Sequence, residues 1–488
     1  MIETTSEHSF DSISTSLLKL TKGEVSSCEL VELAINNINK FDIHTNAVVY
    51  KDFDAAISAA KNSDKQRKNK AKLGPLHGIP ITIKEAFDVC GQPTTWGVPK
   101  FKNNIAQRDS LIVEKLKDAG AILIGKTNVP FMLSDWQTFN DIYGTTNNPW
   151  DLSRSPGGSS GGAAAAVASG YVPAEIGSDI GGSIRGPAHY CGIYGHKSSY
   201  GLVPMDGHTL PGIDIDLDLI VAGPLARHAN DLRMVLNIIK GPSRINSPAW
   251  DVNLPERPRS HLSNFRVAIF CEEKNCSVDN EILEKLLAVG AFLEENGAKV
   301  SYDEKPDIDF FSAHDNYLRT LRGTTGALME DTDYLIAQKE VKRLNDTDNS
   351  YWAYVNRGAT QDYRSFFALK RRQHFLRDAW HSFFKDWDIF LCPIAASTAI
   401  RHDQKRHRKD RTIRVNGKME SYNDQLFWAG ISIFPYLPST AFPVGLSNDN
   451  LPIGIQAIGP YLHDLETIRF AELMESTYGG FRFPSNLP

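Results

Sequence analysis

The chain has 488 residues, 41% of them hydrophobic, and 53 Lys and Arg against 58 Asp and Glu give a net charge of −5. That composition lies in the range of soluble globular chains and excludes disorder, collagen and coiled coil as descriptions of the whole. The near balance of charge supplies no field for a polyanion or a membrane surface, so neither nucleic acid nor membrane is expected as a partner.

The six cysteines (Cys28, Cys90, Cys191, Cys271, Cys276 and Cys392) are scattered, with no CxxC pair and no histidine at zinc-ligand spacing. They read as reduced thiols, and neither a disulfide framework nor a metal site is expected. The amino terminus, MIETTSEHSFDS, lacks a basic and then apolar leader, and no apolar run approaches the roughly 18 residues of a membrane span. A cytoplasmic location is therefore expected.

In chain order, Ser26 and Glu29 form a capping-box pair ahead of an amphipathic helix to Phe41. The basic run Lys61 to Lys72 reads as a solvated face. Ile79 to Ile83 is a β-branched strand ending at Lys84. Asp109 to Ala119 reads as a helix closed by Gly120, and Ala121 to Ile124 as a buried strand. From Ser153 to Gly201 the composition turns to Gly, Ser and Ala. Within that stretch, Ala163 to Ser169 predicts a short helix, Ala174 to Gly177 a strand, and a further helix starts near Ser183. Phe265 to Phe270, Lys299 to Ser301 and Trp387 to Cys392 read as strands, and Asn280 to Asn296 as a helix. The basic segment Arg401 to Arg414 reads as a site rim or surface insert in preference to an RNA-contacting patch.

Two motifs match by letter and fail on context. Gly120 to Thr127 fits GxxxxGK[ST], but its four central residues are apolar and strand-like and a helix precedes them, so they cannot curl around phosphates. Gly157-Gly-Ser159-Ser-Gly161 fits the GxSxG elbow, but a Pro- and Asn-rich loop stands where the elbow needs a strand. The downstream histidines His189, His196, His208 and His463 decide little in a chain with 14.

Three features read together are more specific: Lys84 at the end of a buried strand, Ser159-Ser160 among glycines, and Ser183 in GGSIR. With LHGIPITIKEAFDV, GKTNVP, YGTTNNPWDLSRSPGGSSGG and GSDIGGSIRGPAHYCGIYG, they make the chain resemble the amidase signature family from about Ser26 onward. The resemblance implies one α/β domain over residues 1–488, a large twisted mixed sheet flanked by helices on both faces, with a helical insert near 300–380. It implies an amidase that cleaves a carboxylic amide to acid plus ammonia or amine, without cofactor or metal, in a chain for which a homodimer is allowed. It also implies a triad of Ser183 as nucleophile, Ser159 as bridging serine in a cis peptide with Gly158, and Lys84 as base. One departure is Lys197-Ser198-Ser199, where the family continues Lys-Pro-Thr.

Physical chemistry gives these roles separate support. A serine hydroxyl needs a base, and a lysine can serve only where burial disfavours its ammonium. Glu85, next along the strand, should face the other way. The residues alone leave Ser160 open as the relay; the family register selects Ser159. The glycines before Ser183 let the N–H groups of Ile180, Gly181, Gly182 and Ser183 converge as an oxyanion hole. Asp179 and Arg185 are expected to pair and fix that loop. By family register the substrate passes Leu133, Asp135, Trp136, Phe427 and Trp428, whose aromatic share suggests an aryl or long acyl amide. An alternative is the glutaminase-type component of a glutamine-dependent tRNA amidotransferase; Gly207 to Leu225 resembles stand-alone amidases more closely. A catalytically dead binding protein is the third reading, disfavoured by the intact Lys-Ser-Ser set.

Overall fold

The structure is a computed structural model that describes residues 10–484 apart from 214, 272, 275, 346 and 349; most of the amino-terminal stretch inspected for a leader lies outside the described residues. Apolar, β-branched runs form the strands Pro80–Lys84, Ile122–Thr127 and Ala174–Asp179, the first and last buried at every position. Pro80–Lys84 lies between the other two and runs parallel to both, the arrangement in which strands are covered on both faces. Among the described residues one sheet of eleven strands forms. Its spatial order is Val48–Lys51, Ile122–Thr127, Pro80–Lys84, Ala174–Asp179, Val221–Ala226, Tyr194–Lys197, Ser439–Leu446, Pro452–Ile458, Ile389–Pro393, Arg266–Ile269 and Lys299–Ser301. The sheet is mixed: Val221–Ala226 pairs antiparallel to Ala174–Asp179, while Arg266–Ile269 pairs parallel to Ile389–Pro393.

Alternation along the strands divides the interior in two. Ile122, Ile124, Leu225 and Ala441 face one apolar cluster with the helices Ser27–Thr45 and Gly161–Ala168. Ile81, Ile83, Ala226 and Phe442 face the other, with Leu111–Asp118, Ala229–Ile239, Asn280–Glu295 and Asp464–Thr477. Helices therefore cover both faces, as the period of two in each strand requires. The capping box of Ser26 and Glu29 is present. Among the described residues, 310–383 hold four helices, Phe310–Gly326, Asp331–Val341, Tyr351–Ala359 and Tyr363–Phe383.

Element ends differ from the sequence reading in ways that have causes. The helix after Asp109 starts at Leu111, because the Ser110 hydroxyl caps it at the amide of Val113. The strand after it runs on to Thr127, since Gly125 lies against the neighbouring strand where a Cβ would come within 2.1 Å of the Tyr50 carbonyl oxygen. Gly125, Lys126 and Thr127 thus lie in a strand, and the phosphate-loop reading falls with them. The helix expected near Ser183 begins at Arg185. Among the described residues no helix is long and apolar enough to cross a membrane.

Candidate active site

Lys84 ends its strand fully buried and donates from Nζ to Ser159 Oγ at 2.7 Å, Ser160 Oγ at 2.9 Å and Ser178 Oγ at 3.0 Å. Ser159 and Ser160 sit in the turn that opens the helix Gly161–Ala168, a helix of small residues with no exposed position. Its glycines permit close approach: a Cβ on Gly162 would lie 2.4 Å from the Asn128 nitrogen. The peptide between Gly158 and Ser159 is cis. Ser160 is the more committed hydroxyl, since it also contacts the Ser178 carbonyl at 3.3 Å and the Ser178 amide at 3.4 Å.

Burial dominates the electrostatics of this cluster. It holds the Lys84 ammonium down to about 7, with Asp179 and Glu175 acting in the opposite sense. Glu175 is itself pushed up to about 8 by burial, against the pull of hydrogen bonds from Thr127 and Thr82 and of the Lys84 charge. Glu85 faces elsewhere, accepting from the amides of Thr95 at 2.6 Å and Trp96 at 3.0 Å.

The turn after Ala174–Asp179 brings Ser183 beside the serine pair. Ser160 N–H donates to the Ser183 carbonyl at 3.1 Å; among the described residues no hydrogen bond joins the two hydroxyls of Ser159 and Ser183. Asp179 organises this turn, accepting from Gly182 N–H at 2.8 Å and Ile184 N–H at 3.0 Å while Arg185 pairs with it at 3.1 Å. Although burial pushes the other way, the Arg185 charge and hydrogen bonds hold the Asp179 carboxyl down to about 2. Gly182, at φ +89°, takes the left-handed conformation the turn needs. Tyr317 donates to the Ile180 carbonyl at 2.9 Å and Trp136 Nε1 to the Gly181 carbonyl at 2.8 Å. In a trans peptide the following N–H points away from its carbonyl, so these contacts turn Gly181 N–H away from Tyr317 and Gly182 N–H toward Asp179. Gly182 N–H, expected among the oxyanion donors, is thus engaged with the Asp179 carboxylate.

Ser183, Ile180 and Gly181 line a pocket with room of about 80 Å³, which opens to solvent. Leu133, Asp135 and Trp136 line it as expected, joined by Trp96, Leu217, Ile220, Leu321 and Leu426. Among the described residues no three His, Cys, Asp or Glu side chains gather as a metal set.

A sequence profile of the Amidase family matches residues 29–468. The chain belongs to the amidase family. It is 33% identical over 455 residues to an indoleacetamide hydrolase of Bradyrhizobium diazoefficiens, covering 91% of this chain and 82% of that protein. It is 30% identical over 479 residues to a glutamyl-tRNA(Gln) amidotransferase subunit of Prochlorococcus marinus, covering 94% of this chain and 95% of that protein. Its fold matches a bacterial aryl acylamidase of the amidase signature family at a TM-score of 0.81 and 26% identity, covering 98% of this chain and 99% of the other. This amidase is thus a hydrolase of amide C–N bonds, of a family that acts on small-molecule amides.

Two expected pocket residues of the amidase lie elsewhere. Phe427 lines a separate apolar pocket with Phe310, His314 and Trp380. Trp428 is fully buried, its ring 5.7 Å from that of Phe270. The helix Leu426–Ile433 turns by about 100° per residue, so once Leu426 faces the pocket its two successors point into the core. The expectation of an aromatic lining is corrected with them: Trp96 and Trp136 are outnumbered by aliphatic side chains.

The sequence reading missed Tyr317, Leu321 and Arg322, which come from the helix Phe310–Gly326; its apolar spacing signals a buried face but not which cavity that face meets. It also missed Ser178, which lies within the GSDIGGS run. The basic segment 401–414 reaches the site: Arg408 lines the pocket and Arg411 pairs with Asp135 at 2.5 Å. Of the histidines weighed for the rejected elbow, His196 is engaged elsewhere, its ring nitrogens contacting Thr440 at 2.9 Å and Asp464 at 3.0 Å. Lys126, of the rejected phosphate motif, donates to Thr94 Oγ1 at 3.0 Å and the Pro93 carbonyl at 2.5 Å. In the departing Lys197-Ser198-Ser199 run, Ser199 Oγ donates to Asp464 at 2.7 Å.

Proposed function

We propose that the amidase works through a serine acyl-enzyme, with Ser183 as nucleophile, Ser159 as relay and Lys84 as base. The observation that carries this reading is Lys84: fully buried, held down to about 7, and 2.7 Å from Ser159 Oγ beside a pocket lined by Ser183. Neutral Lys84 takes the Ser159 proton as Ser159 takes that of Ser183, and Ser183 Oγ bonds to the amide carbon. The carbonyl oxygen becomes negative against the amides of Ile180, Gly181 and Ser183, where each preorganised donor contributes about 2.7–4 kcal/mol to the barrier. The C–N bond then breaks as the proton returns through Ser159 to the leaving nitrogen. Water adds to the acyl carbon by the same relay, and Ser183 leaves with its proton restored. The relay needs a Ser159–Ser183 hydrogen bond that forms when substrate is in place, as catalytic hydrogen bonds do in many enzymes.

Ser159 is preferred over Ser160 as relay because Ser160 is tied to both backbone groups of Ser178. All these groups belong to one chain, so a homodimer would leave the chemistry unchanged. The pocket supports an extended, largely aliphatic acyl group. The similarity to an amidotransferase component supports a second reading, glutamine hydrolysis that awaits a partner. Ammonia release from alkyl and aryl amides by the isolated chain supports the first, and glutaminase activity only with a partner the second. Labelling with a fluorophosphonate and peptide mapping tests the mechanism: adduct on Ser183 in the wild type and none in Lys84→Ala is expected, and a label on Ser159 alone would overturn it.

A further inference from the structure

The apolar pocket over Ser183 also carries two guanidinium groups, Arg322 and Arg408. Arg322, 8% exposed, donates from Nη2 to the Tyr351 hydroxyl at 2.6 Å, and its Nε is buried without a partner among the described residues. Arg408 donates from Nε to Asn423 Oδ1 at 3.0 Å and from Nη1 to the Ser134 carbonyl. Both cations converge on one ring, lying 4.9 Å and 5.4 Å from the centroid of Tyr351. All these acceptors are neutral. The one acidic side chain in the lining, Asp135, is committed to Arg411 at 2.5 Å and to the Tyr422 hydroxyl at 2.6 Å. Asp135 also acts on Arg408, whose guanidinium, against burial, Tyr351 and Asp135 hold above its ordinary range, so one carboxylate is shared among Arg411, Arg408 and Arg322 and the pocket keeps an excess of positive charge. Buried charges of one sign are costly unless an anion or a strong hydrogen-bond partner joins them, and burial together with the Arg408 charge holds the Arg322 guanidinium below its ordinary range.

Resting on the reading of Ser183 as the amide-cleaving serine, we infer that the substrate is an amide bearing a carboxylate, which Arg322 and Arg408 hold across an apolar stretch from the scissile bond. Paired guanidiniums match a carboxylate in charge and in fork geometry. A free amino acid amide fits less well, because no unpaired acid in the lining faces an ammonium. The class is therefore ω-carboxamido acids, with Leu133, Ile220 and Leu321 against the intervening methylenes.

The test compares monoamides of dicarboxylic acids, from succinamic to sebacamic acid, with n-alkanamides of matched length, by ammonia release. The wild type is expected to favour the acid amide at least tenfold in kcat/KM at its best length, mostly through KM, and added salt should narrow that preference. Arg408→Gln and Arg322→Gln should each lower the ratio about tenfold, and Arg408→Lys should recover part of it. A wild-type ratio at or below one at every length, or a ratio unmoved in Arg408→Gln, overturns the inference. Arg408 is half-buried, so that variant carries the test if Arg322→Gln does not fold. Calorimetric titration of Ser183→Ala with the acid amides separates the two claims: binding that Arg408→Gln weakens, without turnover in the wild type, leaves the anion site standing and removes the hydrolase reading. Turnover of alkanamides with no carboxylate preference does the reverse.

Discussion

Lys84, Ser159 and Ser183 come from strand ends and glycine turns in which every residue from Ser155 to Asp179 is buried. Leu321, Arg322 and Arg408 reach the same pocket from a helix and a basic segment whose sequence neighbours include the exposed Phe311, Ala327, His407 and Lys409. The first wall is fixed by backbone: sheet hydrogen bonds, small side chains and the Asp179–Arg185 pair leave the reacting groups little freedom. The second is fixed by side chains meeting across large sequence separations, as Tyr422 and Arg411 meet Asp135. On the mechanism proposed above, chemistry and specificity are built separately, and substitutions in the first wall should act on kcat while those in the second act on KM.

The largest effect tests the first wall directly. Ser183→Ala is expected to lower kcat by about 10⁴-fold or more, as loss of a serine nucleophile does elsewhere, while retaining the melting profile of the wild type. Lys84→Ala should act nearly as strongly. In the wild type kcat/KM should rise as pH increases through about 7, because burial lowers the Lys84 pKa and only the uncharged amine accepts a proton. A profile flat from about pH 6 to 9 would remove lysine from the base role and dissolve the distinction drawn between the two walls.

Smaller steps sharpen it. Ser159→Ala should cost about 10²- to 10⁴-fold in kcat, the range of general acid–base relays. Ser160→Ala should cost about tenfold or less, together with about 1 kcal/mol of stability for its lost hydrogen bonds. Equal losses would mean that both hydroxyls relay. Asp179→Asn leaves the buried Arg185 charge uncompensated and should destabilise by about 3–5 kcal/mol, read by denaturant titration. Because the folded carboxyl is held below its unfolded value, its stabilising contribution is complete above that unfolded value near 4 and is lost as pH falls through the folded value of about 2. The acid limb of the wild-type stability curve should therefore flatten in Asp179→Asn over that interval.

The first wall was legible in the sequence because its residue types have few other uses. A lysine closing an apolar strand, paired serines among glycines and a Gly-Gly-Ser turn each demand an unusual setting, and the strands and helices that carry them announce themselves by β-branching, capping residues and small-residue runs. Within that wall, what the sequence left open is hydrogen-bond direction: nothing in the letters Gly181-Gly182 says that the second amide faces a carboxylate. The second wall was mostly illegible. Arg322 looks like surface charge until Phe310–Gly326 is folded, and Arg408, inside a segment that reads as a site rim or surface insert, is not singled out there from its basic neighbours. Phe427 and Trp428 were misplaced by a helical phase that depends on where Leu426 sits.

That phase can be tested at three adjacent positions. Leu426 lines the pocket, and its Cδ2 would lie 3.2 Å from a Cβ placed on Gly181, so Leu426→Ala should change kcat/KM for a matched acyl chain by about tenfold, the effect of lost apolar contact. Phe427→Leu fills a different cavity and should leave KM within about twofold while lowering stability by about 1 kcal/mol, within the range of a near-conservative core exchange. Trp428→Phe removes a fully buried indole that interacts with Cys276 in the core, so it should act on stability alone. A KM effect at Phe427 larger than at Leu426, measured with the same amide series, would show that the helix turns its aromatic side to the substrate and that the aliphatic wall is not the one that reads the acyl group.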